Sequence, residues 1–432
     1  MLINQEPQTV QSTVGVRPLK KSQGLKVAYI MSRFPKLTET FILYEMLAMQ
    51  QQGFQVEVYP LLREHEEVMH PEAVQFVEIA HFQPFISPSI VRANLYFLLT
   101  KPFVYLKTFW DLLRANWGSF NFFTGVIGIF PKTVLFAYQM RADHVQHVHA
   151  HFASHPAAAG FIIHRLVGIP YSFTAHGSDL HRDRHMLREK VAEAAFVAAI
   201  SEYNKELIIA ECRGNYRQKV HVVHCGVDTE VFRARSHETP YEKGSKPFMI
   251  LCVGTLHEVK GQAYLIEACR QLQEKGFKFE CHFVGDGPDK ETLTKLVEQA
   301  GLSDKIHFHG RLTRDEIARL LRDADVLAAP SVPTSDGRRE GIPVVLMEAM
   351  GSGVPVIGSD LSGIPELVND QLTGLLVPPR DATALENALE RYIKDQDLRR
   401  RLGQAGREKV LEEFDLNDNA ARLAFYFLKD RQ

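Results

Sequence analysis

The chain has 432 residues, 45% of them hydrophobic, and a formal net charge of −2. That length is ample for two domains or more with sizeable cores, and the near-neutral balance excludes nucleic-acid binding driven by a strong overall positive field. The five cysteines (Cys212, Cys225, Cys252, Cys269, Cys281) are scattered without a Cys-x-x-Cys pair. Cys252 and Cys281 fall in predicted strands and read as reduced core residues, consistent with the cytoplasm.

Residues 1–24 are polar and lack an apolar h-region, so no signal peptide and a frayed tail are expected there. LKVAYIMS (Leu25 to Ser32) has the pattern of a buried strand, RFPKLTET that of a loop, FILYEMLAMQQQG that of a helix ending at Gly53, and QVEVYP that of a second strand. This strand–loop–helix–strand opening predicts a Rossmann-like domain over 25–228. Thr38, Glu39 and Thr40 follow the first strand, where they face an interdomain cleft or simply cap the helix.

Residues 84–141 hold fourteen aromatics, including Trp110 and Trp117, and six cations (Arg92, Lys101, Lys107, Arg114, Lys132, Arg141) against one acid, Asp111. The longest uncharged run, Ala115 to Pro131, contains Asn, Gly and Pro, so no span is expected to cross a bilayer core that needs about 20 apolar residues. Two readings stand: a surface resting on anionic lipid, with Lys and Arg at headgroup level, or ordinary helices covering the first sheet.

Strand patterns resume in VQHVHAHF and PYSFTAHGSD. His149 and His151 alternate along the first of these, and neither a Cys nor an acid adjoins them in the sequence, so no metal site is expected. His176, beside Gly177 at a strand end, is a functional candidate or a structural histidine. Residues 229–247, with Pro240, Gly244 and Pro247, read as a linker. A second alternating series occupies 248–413, beginning FMILCVGTLHEVKG. VGDGPDK resembles only a fragment of the dinucleotide fingerprint. The pair Asp323 and Asp325 sits at a helix-to-strand entry and reads as structural.

The densest chemistry follows DVLAAPS (Asp325 to Ser331), a buried-strand pattern. A polar loop leads to EGIPVVLME, where Pro343 suits the first turn of an apolar helix ending near Gly351 and Gly353. Free amides and the positive dipole end around Gly341 to Val345 form an anion site. Glu348 lies roughly 7.5 Å along that helix at 1.5 Å per residue, and Glu340 sits just before it. Two carboxylates flanking a phosphate-sized site suit hydroxyls on both sides of a diphosphate, as in a nucleotide sugar. Spacing alone equally allows a solvated loop acid and a buried acid with a structural partner.

REGIPVVLMEAMGSGVPVIGSDLSGIPELV followed by TGLLVPP resembles glycosyltransferase family 4, a retaining group with the GT-B fold, whose central mark E-x7-E is matched by Glu340 and Glu348. VGTLHEVKG resembles its donor-phosphate turn, FTAHGSD its N-domain histidine loop and HCGVDTEVF its end-of-domain motif. RFPKLTETFI and HAHFA look like the bacterial exopolysaccharide members. The resemblance spans about Lys26 to Phe427. It implies two Rossmann-like parallel-sheet domains facing a cleft, with residues 414–432 a C-terminal helix crossing back to the first domain on a stripe of Leu423, Phe425 and Phe427.

By the same resemblance, Glu348 holds the ribose hydroxyls and Glu340 those of the transferred sugar. Lys260 and the amides around Gly341, Ile342, Val344 and Val345 stabilise the departing diphosphate. Gly254, Thr255, Arg311 and Ser331 are donor-side, and His176 positions the sugar's reacting face. Two departures stand out. Thr255 occupies the place where the family commonly has an arginine, leaving Arg338, Arg339 or Arg311 to substitute. FPKLTETF replaces a glycine-rich loop, leaving Thr38, Glu39, Thr40 and His151 as acceptor-side candidates. The implied reaction is a front-face transfer of a hexosyl unit, with no metal or other cofactor. The donor is a UDP-hexose, with GDP-mannose as the alternative, and the acceptor a polyprenyl-diphosphate-linked glycan. The implied location is the cytoplasm, peripherally at the inner face of the plasma membrane. A non-catalytic nucleotide-sugar-binding scaffold is the alternative of another class; nucleic acid is not an expected partner.

Overall fold

The computed structural model describes residues 24–36, 39–64, 69–234 and 246–429. The N-terminal tail except Gly24, Thr38, linker residues 235–245 and the last three residues lie outside the described residues. Apolar runs long enough to be buried on both faces form two all-parallel sheets, as expected when helices cover each side. The first comprises β1 (Lys26–Phe34), β2 (Gln55–Arg63), β3 (His147–His151), β4 (Tyr171–Ala175), β5 (Val197–Ala199) and β6 (Val220–Val222), in the order β2-β1-β3-β4-β5-β6. The second comprises β7 (Phe248–Val253), β8 (Phe279–Val284), β9 (Ile306–Phe308), β10 (Val326–Ala329), β11 (Val356–Ser359) and β12 (Leu375–Val377), in the order β12-β11-β10-β7-β8-β9. Each order reverses direction once, between β1 and β3 in one sheet and between β7 and β10 in the other. Crevices outside the carboxyl ends of strands at such reversals are where α/β sheets bind ligands.

Asp325 belongs to the framework: its carboxylate accepts a hydrogen bond from the Met249 amide at 2.9 Å. The chain passes between domains twice, and the two crossings are tied together. Val227 donates to the Phe414 carbonyl, Leu416 donates to that of Val227, and the Thr229 hydroxyl donates to Asp415 at 2.9 Å. Phe232, within the expected linker, is buried in the second domain's core. The terminal helix Leu416–Lys429 then packs on the first domain, burying Leu423, Ala424 and Phe427 beside Phe54 and Phe196. Phe425 points outward at 48% exposure. The expected three-residue stripe fails there because residues two apart lie on opposite sides of a helix, whereas 423 and 427 share a face.

Residues 84–141 form three helices, Pro88–Thr100, Pro102–Ala115 and Phe120–Ala142. Phe97, Leu112, Val126 and Phe130 face the first domain's core. Outward, Val91, Leu95, Leu98 and Leu99 repeat at helical spacing, as do Phe103, Leu106 and Trp110. Leu99 is 78% exposed, Trp117 76% and Phe120 85%. Phe120–Ala142, with Pro131 inside it, is long and apolar enough by length and composition alone to cross a membrane, but half of its most apolar window is buried, as a core helix would be. One expectation needs correction. Lys132 is internal, its ammonium donating to the Leu61 carbonyl at 2.7 Å, and Lys101 is drawn to the Leu166 carbonyl at 2.8 Å. The exposed cations of this segment include Arg92, Lys107 and Arg114.

Candidate functional site

At the reversal between β7 and β10, two loops converge. After β7, Gly254 (φ +153°) turns the chain into a short 3-10 turn, Glu258–Lys260, that precedes the helix Gln262–Glu274. After β10, the loop from Ser331 to Pro343 leads into the helix Val344–Gly351. Lys260 and Glu340, eighty residues apart in sequence, form an ion pair across these loops, Nζ to Oε2 at 2.8 Å. Both side chains are mostly buried, at 22% and 18% exposure. A β-carbon at Gly254 would stand 3.1 Å from the Lys260 stem, so glycine leaves the lysine room to lie over the turn. The Thr255 carbonyl accepts from Gln262, which pins the turn to its helix.

Pro343 is the cap residue of the Val344–Gly351 helix and is not its first helical residue. The amides of Val344 and Val345 open that helix and have no intrahelical acceptor; Ile342 and Val345 are buried around them. Further along, burial pushes the Glu348 carboxyl up to about 7, against the opposing pull of the Arg314 guanidinium. Arg314 pairs with Asp228 at 3.2 Å and stacks 3.8 Å over the Tyr44 ring of the first domain. Ser331 is buried, and its hydroxyl has no hydrogen-bond partner among the described residues. Arg311 is exposed just beyond Gly310. Of the three candidate arginines, Arg338 reaches the donor turn, with its guanidinium 3.3 Å from the His257 ring.

The first domain meets this site through His176 and Gly177. A β-carbon at Gly341 would stand 2.4 Å from the His176 carbonyl, and one at Gly177 (φ +122°) 3.0 Å from the Gly341 backbone. Two glycines therefore permit backbone-to-backbone approach across the cleft. Asp179 braces the loop, accepting from the amides of His176, Gly177 and Ala153. Burial raises its carboxyl, and those amides offset part of the rise.

Behind His176 runs a buried chain of side chains. Its Nε2 lies 3.0 Å from His151 Nδ1, and His151 Nε2 lies 3.2 Å from the Glu45 carboxylate, which also accepts from the Tyr29 hydroxyl. In the His151–His176 contact one ring donates and the other accepts, while His151 Nε2 faces the Glu45 carboxylate with no hydrogen-bond partner among the described residues. Burial first and His151 second hold His176 well below the usual imidazole range. His151 is thus an internal support for His176. The absence of an acid beside His149 and His151 holds only in sequence, because the fold brings Glu45 to them. The ring nitrogens of His149 are taken up by Ser172 and Thr174.

Two of the other acceptor-side candidates lie at the start of the first helix. Glu39 caps the helix Thr40–Gln51 by position only and pairs with Lys36 at 2.6 Å; Thr40 is its first residue. Phe41, next along, packs 4.5 Å from the His176 ring. The structure therefore gathers Gly254, Lys260, Glu340, Gly341 and His176, with His151 behind. Sequence reasoning missed Glu45, Arg314 and Glu366. The last of these accepts from the Glu202 and Tyr203 amides at 2.7 Å each, a carboxylate of the second domain capping a helix of the first. Only Glu366 had a signal, its place inside GIPELV.

Residues 38–231 match the family Glycosyltransferase Family 4, and residues 235–409 match Glycosyl transferases group 1. The protein WcaL of Escherichia coli (strain K12), described as a colanic acid biosynthesis glycosyltransferase, is 31% identical over 407 residues, 90% of this chain and 96% of that one. The amylovoran biosynthesis glycosyltransferase AmsK of Erwinia amylovora is 35% identical over 247 residues, 56% and 59% of the two chains. A glycosyltransferase crystal structure from Rickettsia africae superposes with a TM-score of 0.70 at 17% identity, covering 95% of this chain and 99% of that one.

Proposed function

The chain belongs to glycosyltransferase family 4 and is a GT-B transferase, and from that premise we propose that it moves a hexosyl unit from a UDP-sugar to a hydroxyl of a lipid-linked glycan in exopolysaccharide biosynthesis, with retention of configuration. The observation that carries this reading is the Lys260–Glu340 pair beside the opening amides of the Val344–Gly351 helix. In a nucleotide sugar the anomeric carbon is bonded directly to the β-phosphate oxygen. A cation for the phosphate and an acid for the sugar's hydroxyls must then lie within a few ångströms of each other, as these two do. In the reaction the bond from the anomeric carbon to the phosphate oxygen breaks, and the acceptor oxygen bonds to that carbon on the same face. The acceptor's proton passes to the departing phosphate. Lys260 and the helix amides supply the positive field, so the transfer needs no divalent ion.

A thermal-shift panel of UDP-glucose, UDP-galactose, UDP-N-acetylglucosamine and GDP-mannose, each with magnesium and with EDTA, tests the donor. A donor at 100 times its dissociation constant adds about 2.7 kcal/mol. A UDP-sugar that stabilises the chain equally in both conditions is the expected result. A GDP-mannose response alone would replace the donor assignment, and a shift seen only with magnesium would overturn the metal-independent mechanism.

The acceptor reading draws support from the outward apolar residues of 84–141 and the neighbouring Arg92, Lys107 and Arg114, a composition suited to an anionic bilayer at the inner face of the plasma membrane. Phe103 and Trp110 each contribute about 1.5–3 kcal/mol when buried in an apolar phase. The Phe103→Asp/Trp110→Asp variant should therefore lose at least about tenfold in partitioning to phosphatidylglycerol vesicles. Wild-type protein that fails to sediment with such vesicles, or a variant that sediments equally, removes the membrane surface from the proposal.

A further inference from the structure

On the second domain, strands β8 and β9 run side by side at the sheet edge, with His282 paired in register with His307. Along β8, Phe279, Cys281 and Phe283 point into the core, so Glu280 and His282 point to the opposite face. His307 on β9 and His309 just beyond its end repeat the same alternation with the core residues Ile306 and Phe308. Three imidazoles and a carboxylate are crowded together there: the His282 ring lies 5.0 Å from that of His307 and 5.1 Å from that of His309. One ligand atom from each of Glu280, His282 and His307 falls within 4.8 Å of the others.

We propose that Glu280, His282 and His307 bind one Zn²⁺ ion, with His309 orienting His282 from behind. Three observations carry this. Among the described residues His282 Nε2 is buried without a hydrogen-bond partner, and it lies 3.5 Å from a Glu280 oxygen, long for a hydrogen bond. That separation matches two ligands of one tetrahedral ion, which stand roughly 3.3 Å apart for bonds of about 2.0–2.1 Å. The other ring nitrogen, Nδ1, lies 2.8 Å from His309 Nε2, the hydrogen-bonded arrangement that fixes the tautomer of a ligating histidine. Glu280 keeps 44% of its side chain exposed, which gives the ion a path in and water a fourth position.

The site would act as a clip. β9 is a three-residue edge strand, and just beyond it the Gly285 amide donates to the Gly310 carbonyl at 2.7 Å. A β-carbon at Gly285 would stand 2.1 Å from the Gly254 carbonyl, so the clipped edge borders the donor turn.

The test is Zn²⁺ titration of the full chain against a chromophoric chelator, with melting temperature followed in Zn²⁺ and in EDTA. Wild type is expected to take up one ion and to melt higher in Zn²⁺. His282→Ala and His307→Ala should each weaken binding at least about tenfold and abolish the melting shift while melting like wild type in EDTA. His144→Ala, an exposed histidine elsewhere, should change neither. Equal affinity in both ligand variants, or no stoichiometric uptake by folded wild type, overturns the site. If a ligand variant melts early even in EDTA, His282→Gln, which keeps the side chain's polarity and much of its bulk, replaces it under the same two criteria.

Discussion

Lys260→Ala and Glu340→Gln are each expected to lower transfer at least about 100-fold in kcat/KM, the scale of removing one preorganised electrostatic contact from a transition state. In the resting chain the two groups neutralise each other across 2.8 Å. Donor binding places the diphosphate against Lys260 and frees Glu340 for the sugar's hydroxyls. The lysine matters most as charge builds on the departing phosphate, so its loss should fall mainly on kcat. The glutamate contacts the sugar before and during transfer, so its loss should fall on both kcat and KM. Because the two act as one unit, the double variant should lose far less than the product of the single losses. Single-turnover rates with the donor found by the thermal-shift panel check this, with melting temperature as the fold control. A folded variant with near-wild-type turnover would take its residue out of the site.

Glu348→Gln should stabilise the unliganded protein at pH 8 while impairing donor binding. The Glu348 carboxyl titrates at about 7 in the folded chain because burial disfavours its charge, whereas an unfolded glutamate titrates at about 4.3. Between these values the folded chain binds more protons than the unfolded one, so stability falls as pH rises through the window and the full penalty is reached above 7. Glutamine removes the penalty, worth about 3.6 kcal/mol at pH 8 and almost nothing near pH 4. The melting difference between variant and wild type should therefore grow from pH 4 to pH 8. The same substitution replaces the charged acceptor for the ribose hydroxyls, and donor affinity should drop at least about tenfold. A variant no more stable than wild type at pH 8 would mean that Arg314 compensates the buried charge. Unchanged donor affinity would separate Glu348 from the ribose.

Much of the fold was legible because its signals are local. Buried-strand runs, glycine ends and Pro343 before an apolar helix specify elements over stretches of ten residues or so, and two such series predict two sheets. Glu340 and Glu348 were legible for the same reason, since both are placed by one loop and the helix it enters. Phe425 and Lys132 were misjudged where helical phase was not followed residue by residue: a charge inside a buried helix face is invisible to a composition count.

The sequence by itself determined the elements, their alternation and the pair of acids around one helix start, because each depends on neighbours along the chain. Only the tertiary structure decided that Lys260 meets Glu340, that Glu45 stands behind His151 and His176, that Arg314 pairs with Asp228 and stacks on Tyr44, and that Glu366 caps a helix of the other domain. Those contacts depend on strand order and domain apposition. In parallel sheets each neighbouring strand is reached through a long crossover, so residues 25 to 164 positions apart become partners with no local pattern to announce them.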